Sequence, residues 1–300
     1  MFARRHPFLF SFLIISLCMT IAFLGFLGFL TFSSSLINSH FQAVSFNDKG
    51  NIGIVEINGV ILSSKKIIQD VKTFRDQDNI KAIILRVDSP GGGFGPSQEI
   101  YREIIKTKKD KKVITSMGSV AASGGYYIAS ATNGIVANPG TITGSIGVIM
   151  EYANIMEIVK KIGISPIVIK SSEFKDMGSP LRELKKSEKL ILQNLVDDLH
   201  LQFVNDAANE RNMDIQKMKA LADGRVYTGK AALNLKLVDR LGNLDDAVQW
   251  AGELAGIRGE LKPVYPKEDK ITFLRRLAET LFKDINITGA VTDNFRYIIN

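Results

Sequence analysis

Cysteine and histidine are scarce in this sequence of 300 residues, and each scarcity excludes a class of site. A single cysteine, Cys18, rules out a disulfide scaffold and a zinc site built on cysteine ligands. The three histidines, His6, His40 and His200, are scattered along the chain, a pattern that does not predict a histidine-rich metal centre. The 25 glycines follow no three-residue period, so a collagen-like fibre is excluded as well.

Charge is absent from Pro7 to Phe32, and this apolar run predicts a single membrane-spanning helix, residues 7–32. As an α-helix its 26 residues extend about 39 Å, which exceeds the ~30 Å hydrocarbon thickness of a bilayer. Arg4 and Arg5 precede the run, and no lysine or arginine follows it before Lys49. The positive-inside rule therefore predicts a single-pass protein of the cell membrane, with a cytoplasmic N-terminus and an extracytoplasmic remainder.

A cleaved signal peptide is the alternative interpretation of the same run. Signal peptides have an apolar stretch of roughly 7–15 residues, followed by small residues at the cleavage site. The run here is longer, and Ser33 to Leu36 (SSSL) fits such a site poorly, so an uncleaved anchor is favoured. Cys18 lies within the run, which leaves the extracytoplasmic part without a thiol.

Positive charge is in modest excess, with a formal net charge of +7. The densest basic run, Lys106 to Lys112 (KTKKDKK), contains no aromatic residue on which a base could stack. A solvated helix end is the favoured interpretation of this run. No nucleic-acid partner is predicted.

Strand-like and helix-like patterns alternate after residue 50, which predicts an α/β fold with a mostly parallel sheet. The predicted order along the chain is a cytoplasmic N-terminus (1–6), the anchor (7–32), a polar linker (33–50), one domain (51–258) and a C-terminal appendage (259–300). Strands are expected over 51–57, 81–87, 113–117, 135–138, 146–150 and 167–171, and helices over 66–74, 97–106, 124–132, 152–161, 187–212, 214–222, 229–234 and 244–255.

Two amphipathic helices carry apolar stripes at helical spacing. For the helix in the appendage, packing within the protein or an oligomer contact is favoured over contact with a membrane surface. The stripe of the long helix comprises Leu192, Leu195, Val196, Leu199 and Phe203, and that of the appendage comprises Phe273, Leu274, Leu277, Leu281 and Phe282.

Three glycine-rich stretches, 88–93, 118–127 and 140–147, have the composition that acyl transfer needs. A nucleophile must lie at an exposed turn, and two backbone N–H groups must point to where the tetrahedral oxyanion forms. Ser123, followed by two glycines and a predicted helix, fits the first need, and N–H groups of Gly124 and of the 91–93 stretch fit the second. The alternative role for Ser123 is a helix N-cap, which does not explain two glycines in the following helical turn.

The sequence does not favour a histidine as general base, because none of the three lies where a serine–histidine–aspartate triad would need it. A serine nucleophile would then need a lysine base, with its pKa lowered by burial or by neighbouring charges so that the neutral amine is available. Residue patterns alone do not choose among the 38 basic residues.

From about residue 51 to 255, the chain resembles the short, single-repeat form of the signal peptide peptidase A family, membrane-bound Ser/Lys peptidases. The resemblance rests on the stretches DSPGGG, MGSVAASGGYYIA, TGSIGVI, SSEFKDMGSP and DGRVYTGKAALNLKLVD. By this resemblance Ser123 corresponds to the nucleophile, Lys175 to the general base and Ser145 to the residue that orients the base. Gly92 and Gly124 correspond to the oxyanion region.

The resemblance also implies a fold, an assembly and a substrate class. The fold would be the crotonase and Clp-protease-like spiral of ββα units. The assembly would be a homo-octamer whose dyad is completed between neighbouring protomers. The substrates would be hydrophobic peptides, such as signal peptides remaining in the membrane after preprotein cleavage, and no metal or organic cofactor would be needed. Two alternatives stay open: a crotonase-like acyl-CoA enzyme, and a non-catalytic membrane scaffold of the same fold.

Overall fold

The computed structural model describes residues 19–20 and 50–266. Apart from residues 19–20, the anchor predicted over 7–32 lies outside the described residues, as does the amphipathic helix predicted after residue 266. Within the described part of the chain, no helix combines the length and the apolarity needed to cross a bilayer. The chain divides into two units, Met1–Asp48 and Lys49–Asn300, and every element named below belongs to the second.

Strands and helices alternate along this second unit, so the predicted α/β class is confirmed. The strands are β1 (Ile52–Asn58), β2 (Ala82–Ser89), β3 (Lys112–Ala122), β4 (Gly134–Ala137), β5 (Ile142–Gly144), β6 (Val226–Thr228), β7 (Arg240–Leu241) and β8 (Pro263–Val264). The helices are α1 (Lys65–Asp76), α2 (Phe94–Thr107), α3 (Gly124–Ser130), α4 (Met156–Lys161), α5 (Lys186–Glu210), α6 (Ile215–Leu221), α7 (Gly229–Asn234) and α8 (Leu244–Leu254).

The sheet is built on three long parallel strands. Its order is β6-β5-β3-β2-β1-β8, while β4 pairs with β3 and with β7. Only the β5–β6 pair is antiparallel among the described strand pairs. Helices cover both faces of β1 and β2, which explains why these strands read as nearly continuous apolar runs rather than as alternating ones. Residues 263–264, from the segment assigned to the C-terminal appendage, form the edge strand β8.

Strand β3 branches the sheet and carries the chain into the glycine-rich region. Its residues 114–116 pair with β4, and its residues 120–122 pair with β5. The sequence predicts an end at Met117, whereas the strand continues to Ala122. The pairing with β2 shifts register between Val87 and Ser89, and the Val120 N–H donates to Asp88 Oδ1 there at 3.0 Å. Gly118 permits this arrangement, because a Cβ on it would lie 2.8 Å from Asp88 Cγ.

Two apolar cores lie on opposite faces of the sheet. The larger one packs α1, α2, α3 and the C-terminal half of α5 against the strands, and the smaller one packs α8. Tyr127 of α3 stacks on Tyr101 of α2, with ring centroids 4.8 Å apart, and makes a tilted contact with Phe203 of α5, with ring centroids 4.6 Å apart. The short helix α3 is therefore held from two sides by aromatic side chains.

Two predicted strands are wrong, at 146–150 and at 167–171. Neither segment belongs to a strand, and the helix expected over 152–161 covers only Met156–Lys161. Both segments are apolar and β-branched, which reads as a buried strand, yet Ile149 is 86% exposed and Ile169 is 96% exposed. Without a neighbouring strand among residues 50–266, these runs form no ladder.

Residues 151–185, called the arm below, form an excursion that is mostly exposed to solvent. The Ile155 N–H donates to the Pro180 carbonyl at 2.8 Å, which joins the two limbs of the arm. The first half of the following helix, α5, is also uncovered. Of its predicted stripe only Phe203 is fully buried, whereas Leu195 is 45% exposed.

Candidate active site

Ser123 lies at the sharp turn between the end of β3 and the start of α3. Its backbone angles are φ 50° and ψ −120°, a conformation that a residue with a Cβ seldom adopts. It occupies the N-cap position of α3, but its hydroxyl makes no capping hydrogen bond. The N-cap role considered from sequence therefore does not explain this serine. A strained strand-to-helix turn that exposes a serine hydroxyl is typical of a nucleophile elbow.

Two backbone N–H groups, those of Gly92 and Gly124, lie next to Ser123 without an acceptor. Neither donates a hydrogen bond to any described residue. A Cβ built on Gly124 would lie 3.4 Å from the Gly92 nitrogen, which places the two groups side by side. A pair of such donors beside a serine can stabilise an oxyanion.

Ser145 lies beside Ser123, because the residues before each of them are paired. Ala122 and Gly144 are partners in the β3–β5 ladder, and neighbouring strands are about 4.8 Å apart. The Ser123 N–H donates to the Gly144 carbonyl at 2.8 Å, and the Ser145 N–H donates to the Arg225 carbonyl at 2.8 Å. Ser145 also has a positive φ, 50°. Two serines in left-handed backbone thus stand next to each other at this edge of the sheet.

Lys175 makes no hydrogen bond with these groups among the described residues. It is an exposed residue of the arm, and no hydrogen bond or ion pair among the described residues involves its amine. The structure of a single protomer therefore brings together Ser123, Ser145, Gly92 and Gly124, but it does not bring Lys175 to them. His200 is the one histidine among the described residues, and its buried Nε2 has no hydrogen-bond partner there.

Two fully buried serines, which the sequence did not single out, fix the glycine loop at residues 91–93. Ser89 Oγ accepts from the Gly91 N–H at 3.1 Å. Ser97 Oγ donates to the Gly93 carbonyl at 2.9 Å. Serine is common on protein surfaces, so only the folded structure distinguishes these two from ordinary polar residues.

The helix that follows Ser123 is tied to α5 by a polar contact. The Tyr127 hydroxyl donates to the Asp206 carboxylate, and the Tyr127 N–H donates to the Ser123 carbonyl at 2.9 Å. Burial raises the pKa of Tyr127, so this phenol stays protonated as a donor at physiological pH. The position of Ser123 is therefore linked through one residue to the long helix that follows the arm.

Gly124→Ala tests whether close packing fixes the candidate oxyanion site. The new Cβ would lie 2.4 Å from Ser97 Oγ, so we expect a loss of about 1–3 kcal/mol in the free energy of unfolding. Adding Ser97→Ala removes this clash, because the next contact is 3.3 Å. Urea denaturation is expected to show that the double variant loses less free energy of unfolding than the two single variants lose in sum.

Activity separates packing from chemistry in the same series. Gly124→Ala and the double variant are both expected to be inactive, the latter in comparison with Ser97→Ala, because the methyl group remains beside the Gly92 N–H even where stability recovers. Gly95→Ala is the control, since its Cβ meets nothing within 4 Å. Recovery of full activity in the double variant would contradict the assignment of Gly124.

Two family descriptions match this chain. Residues 105–258 match peptidase family S49, and residues 54–142 match the Clp protease family. The slr0021 protein of Synechocystis sp., named as a protease, is 44% identical over 228 residues, which cover 75% of this chain and 82% of that one. A protein of Enterococcus faecium named as a signal peptide peptidase SppA is 39% identical over 185 residues, 61% of this chain and 54% of that one.

One solved structure shares the fold. It is a mutant of the membrane-bound stomatin-specific protease 1510-N, which superimposes with a TM-score of 0.50 at 17% sequence identity. The superposition covers 74% of this chain and 100% of that one. At this identity the likeness concerns the fold alone.

Proposed function

Because the chain belongs to peptidase family S49 and is a serine peptidase, we propose that it works through a Ser123–Lys175 dyad, with Ser145 orienting the lysine. Gly92 and Gly124 supply the oxyanion N–H groups. The observation that carries the proposal is the strained turn at Ser123, where a half-buried serine with no capping hydrogen bond lies beside two N–H groups that have no acceptor among the described residues.

The proposed reaction proceeds through an acyl-enzyme. The neutral amine of Lys175 takes the proton from Ser123 Oγ as that oxygen attacks the peptide carbonyl carbon. The carbonyl electrons move to oxygen, and the N–H groups of Gly92 and Gly124 bind the resulting oxyanion. The C–N bond then breaks, and the leaving amine takes the proton from Lys175. Water, deprotonated by Lys175, hydrolyses the ester, and Ser123 regains its proton.

The substrates proposed are apolar peptides, including signal peptides left in the membrane after preprotein cleavage. The relative named as a signal peptide peptidase supports this class. Residues 7–32 would anchor the chain in the membrane, with residues 1–6 in the cytoplasm and the peptidase domain (51–258) outside, beyond a linker (33–50). The charge pattern of the sequence supports this topology, which keeps the site close to segments that lie in the bilayer.

The catalytic unit proposed is a homo-oligomer, an octamer by family resemblance, with each dyad shared between neighbouring protomers. Two observations support an assembly. Among the described residues, the Lys175 amine makes no hydrogen bond or ion pair with another site residue of its own protomer, and apolar side chains of the arm and of the first half of α5 are uncovered. The spiral of ββα units is part of the same proposal, and the branching of the sheet at β3 supports it.

Leu195→Glu tests the assembly. Leu195 is 45% exposed on the uncovered half of α5, so the substitution leaves the folded protomer intact but places a charge in the proposed interface. We expect the protomer–protomer Kd to rise roughly a hundredfold or more, with loss of peptidase activity. Native mass spectrometry and circular dichroism measure the two effects. Asn194→Glu, which adds the same charge one residue away, is the control, and an intact Leu195→Glu oligomer would exclude this surface.

A covalent probe tests the proposed function and the scaffold alternative together. A fluorophosphonate is expected to label Ser123 in the full-length, detergent-solubilised protein, and peptide mapping by mass spectrometry identifies the modified serine. Labelling that persists in Ser123→Ala would identify another nucleophile. An assembled protein that no probe labels would favour the non-catalytic scaffold, whereas membership of a peptidase family already weighs against the acyl-CoA alternative.

A further inference from the structure

One guanidinium, that of Arg182, joins the turn that carries Lys175 to the first turn of α5. Arg182 Nε donates to Asp176 Oδ2 at 2.8 Å, and its Nη2 donates to Asp176 Oδ1 at 2.9 Å. Toward the helix, Nη1 and Nη2 donate to the two carboxylate oxygens of Glu188 at 2.8 and 2.6 Å. Only a planar, five-donor side chain can bind two carboxylates bidentately at once, which a lysine cannot do.

Glu188 is the fixed end of this connection. Its side chain has no solvent exposure, although Glu188 lies in the first turn of α5 and the first half of this helix is otherwise largely exposed. It also accepts the N–H of Lys185 at 2.9 Å, which caps α5. A buried carboxylate that caps a helix is restricted in both position and orientation, so it can serve as an anchor.

Asp176 is the other end of this connection, and it directly follows Lys175 in the chain. Lys170 donates to Asp176 Oδ1 at 2.6 Å and to the Glu173 carbonyl at 2.7 Å, which closes the turn around Lys175. The Lys175 N–H itself bonds only to the Ser172 carbonyl, at 3.4 Å. The orientation of the Lys175 backbone within the protomer therefore depends on the groups that hold Asp176.

Both carboxylates stay ionised wherever a lysine amine can be neutral. The hydrogen bonds of Arg182, and then that of Lys170, hold the pKa of Asp176 well below its usual range. The hydrogen bonds of Arg182, and then that of the Lys185 N–H, lower the pKa of Glu188 to about 2. Because both pKa values are lowered, the ion pairs persist above the unfolded-state pKa values and are lost only in strong acid.

We propose that Arg182 is a positioning residue for the general base: by joining Asp176 to Glu188 it holds the Lys175 turn at a fixed place relative to α5. This inference rests on the proposed function, in which Lys175 is the base. Among the described residues Arg182 makes no hydrogen bond to Ser123, and its proposed role is exerted through Lys175. Since α5 also contacts the Ser123 helix of its own protomer through Asp206 and Tyr127, each copy of α5 would position the lysine of one shared dyad and the serine of another.

Arg182→Lys and Asp176→Asn test the inference in the assembled full-length protein. Arg182→Lys keeps the positive charge but loses the bidentate contacts with both carboxylates. Asp176→Asn keeps the shape of the side chain but weakens its bonds to Arg182. Each is expected to lower kcat for an apolar peptide roughly 10- to 100-fold, because small misplacements of a reacting group are costly. KM is expected to change less than about twofold, since substrate binding is untouched.

Arg75→Lys is the matched control. Arg75 also joins two carboxylates, Asp76 and the buried Glu103, and its side chain is 22% exposed against 24% for Arg182. It lies on α1, outside the arm, so its kcat and KM should stay within about twofold of the unmodified protein. Rates are expressed per assembled particle, as measured by light scattering.

Lys175→Ala, run alongside, separates failure of this inference from failure of the proposed function. If Lys175→Ala retains activity, the proposed base is wrong. If Lys175→Ala is inactive while Arg182→Lys and Asp176→Asn keep an unchanged kcat, only the positioning role is overturned. If Arg182→Lys does not assemble, Asp176→Asn decides, because it leaves the bonds between Arg182 and Glu188 in place. A rise in KM at unchanged kcat would also overturn the positioning role.

Discussion

Ser123→Ala is expected to lower kcat for an apolar peptide by roughly a thousandfold or more, the largest effect of any substitution in this chain. In the proposed mechanism the hydroxyl forms the covalent bond with the substrate, so its removal abolishes the acyl-enzyme step. The variant should be at least as stable as the unmodified protein, because the Ser123 hydroxyl makes no capping hydrogen bond that the substitution could remove. Mass-spectrometric detection of cleavage fragments measures the loss.

Ser172→Ala is the matched control for this experiment. Ser172 is the exposed serine of the Ser-x-x-Lys stretch that ends at Lys175, and it is the nearest competing hydroxyl in sequence to the proposed base. Its replacement should leave kcat within about twofold of the unmodified value. A large loss in Ser172→Ala, together with survival of cleavage in Ser123→Ala, would move the nucleophile into the arm.

Mixing two inactive variants is expected to restore activity, the second large effect. In Ser123→Ala and in Lys175→Ala every site lacks one member of the dyad, so each homo-oligomer is inactive. If each site takes its serine from one protomer and its lysine from the neighbour, about a quarter of the sites in a co-assembled equal mixture are complete. Purification through two different tags isolates the mixed oligomers, whose rate per particle is then compared with that of the unmodified protein.

The opposite outcome has a definite meaning. A mixture that stays inactive after proven subunit exchange places both members of the dyad within one protomer, and the arm must then fold back onto its own Ser123. The control is the same mixing experiment with Lys109→Ala in place of Lys175→Ala, which tests for effects of losing any exposed lysine. Lys109 precedes the start of β3 while Ser123 follows its end, so the two are separated by the whole strand.

The parts of the fold that a protomer stabilises by itself could be predicted from the sequence. The strands over 52–58 and 82–89 are buried within the chain, so their apolar runs were interpreted correctly. The runs over 146–150 and 167–171 carry the same signal and form no strand, because the described part of the chain offers them no neighbouring strand. Apolarity indicates that a segment is covered somewhere, but it does not say whether the cover belongs to the same molecule.

The candidate site was only partly predictable for a related reason. Ser123 and Gly124 lie at a turn marked by local composition, and their position follows from the end of one strand. The left-handed backbone at Ser145 depends on a partner far along the chain, the carbonyl of Arg225. The contact of Arg182 with both Asp176 and Glu188 gives no signal in composition or periodicity, because charged residues in a polar segment ordinarily face solvent.

Because β3 branches, the two members of the proposed dyad are expected to differ strongly in the free energy of local unfolding. Residues leading to Ser123 are hydrogen-bonded to strands on both sides, so their amide protons should exchange with deuterium only when the whole domain opens. The turn that carries Lys175 has few buried contacts, and its amides should exchange by small, frequent openings. On heating, catalysis would therefore fade with the arm, while the nucleophile and the oxyanion site remain assembled until the domain unfolds.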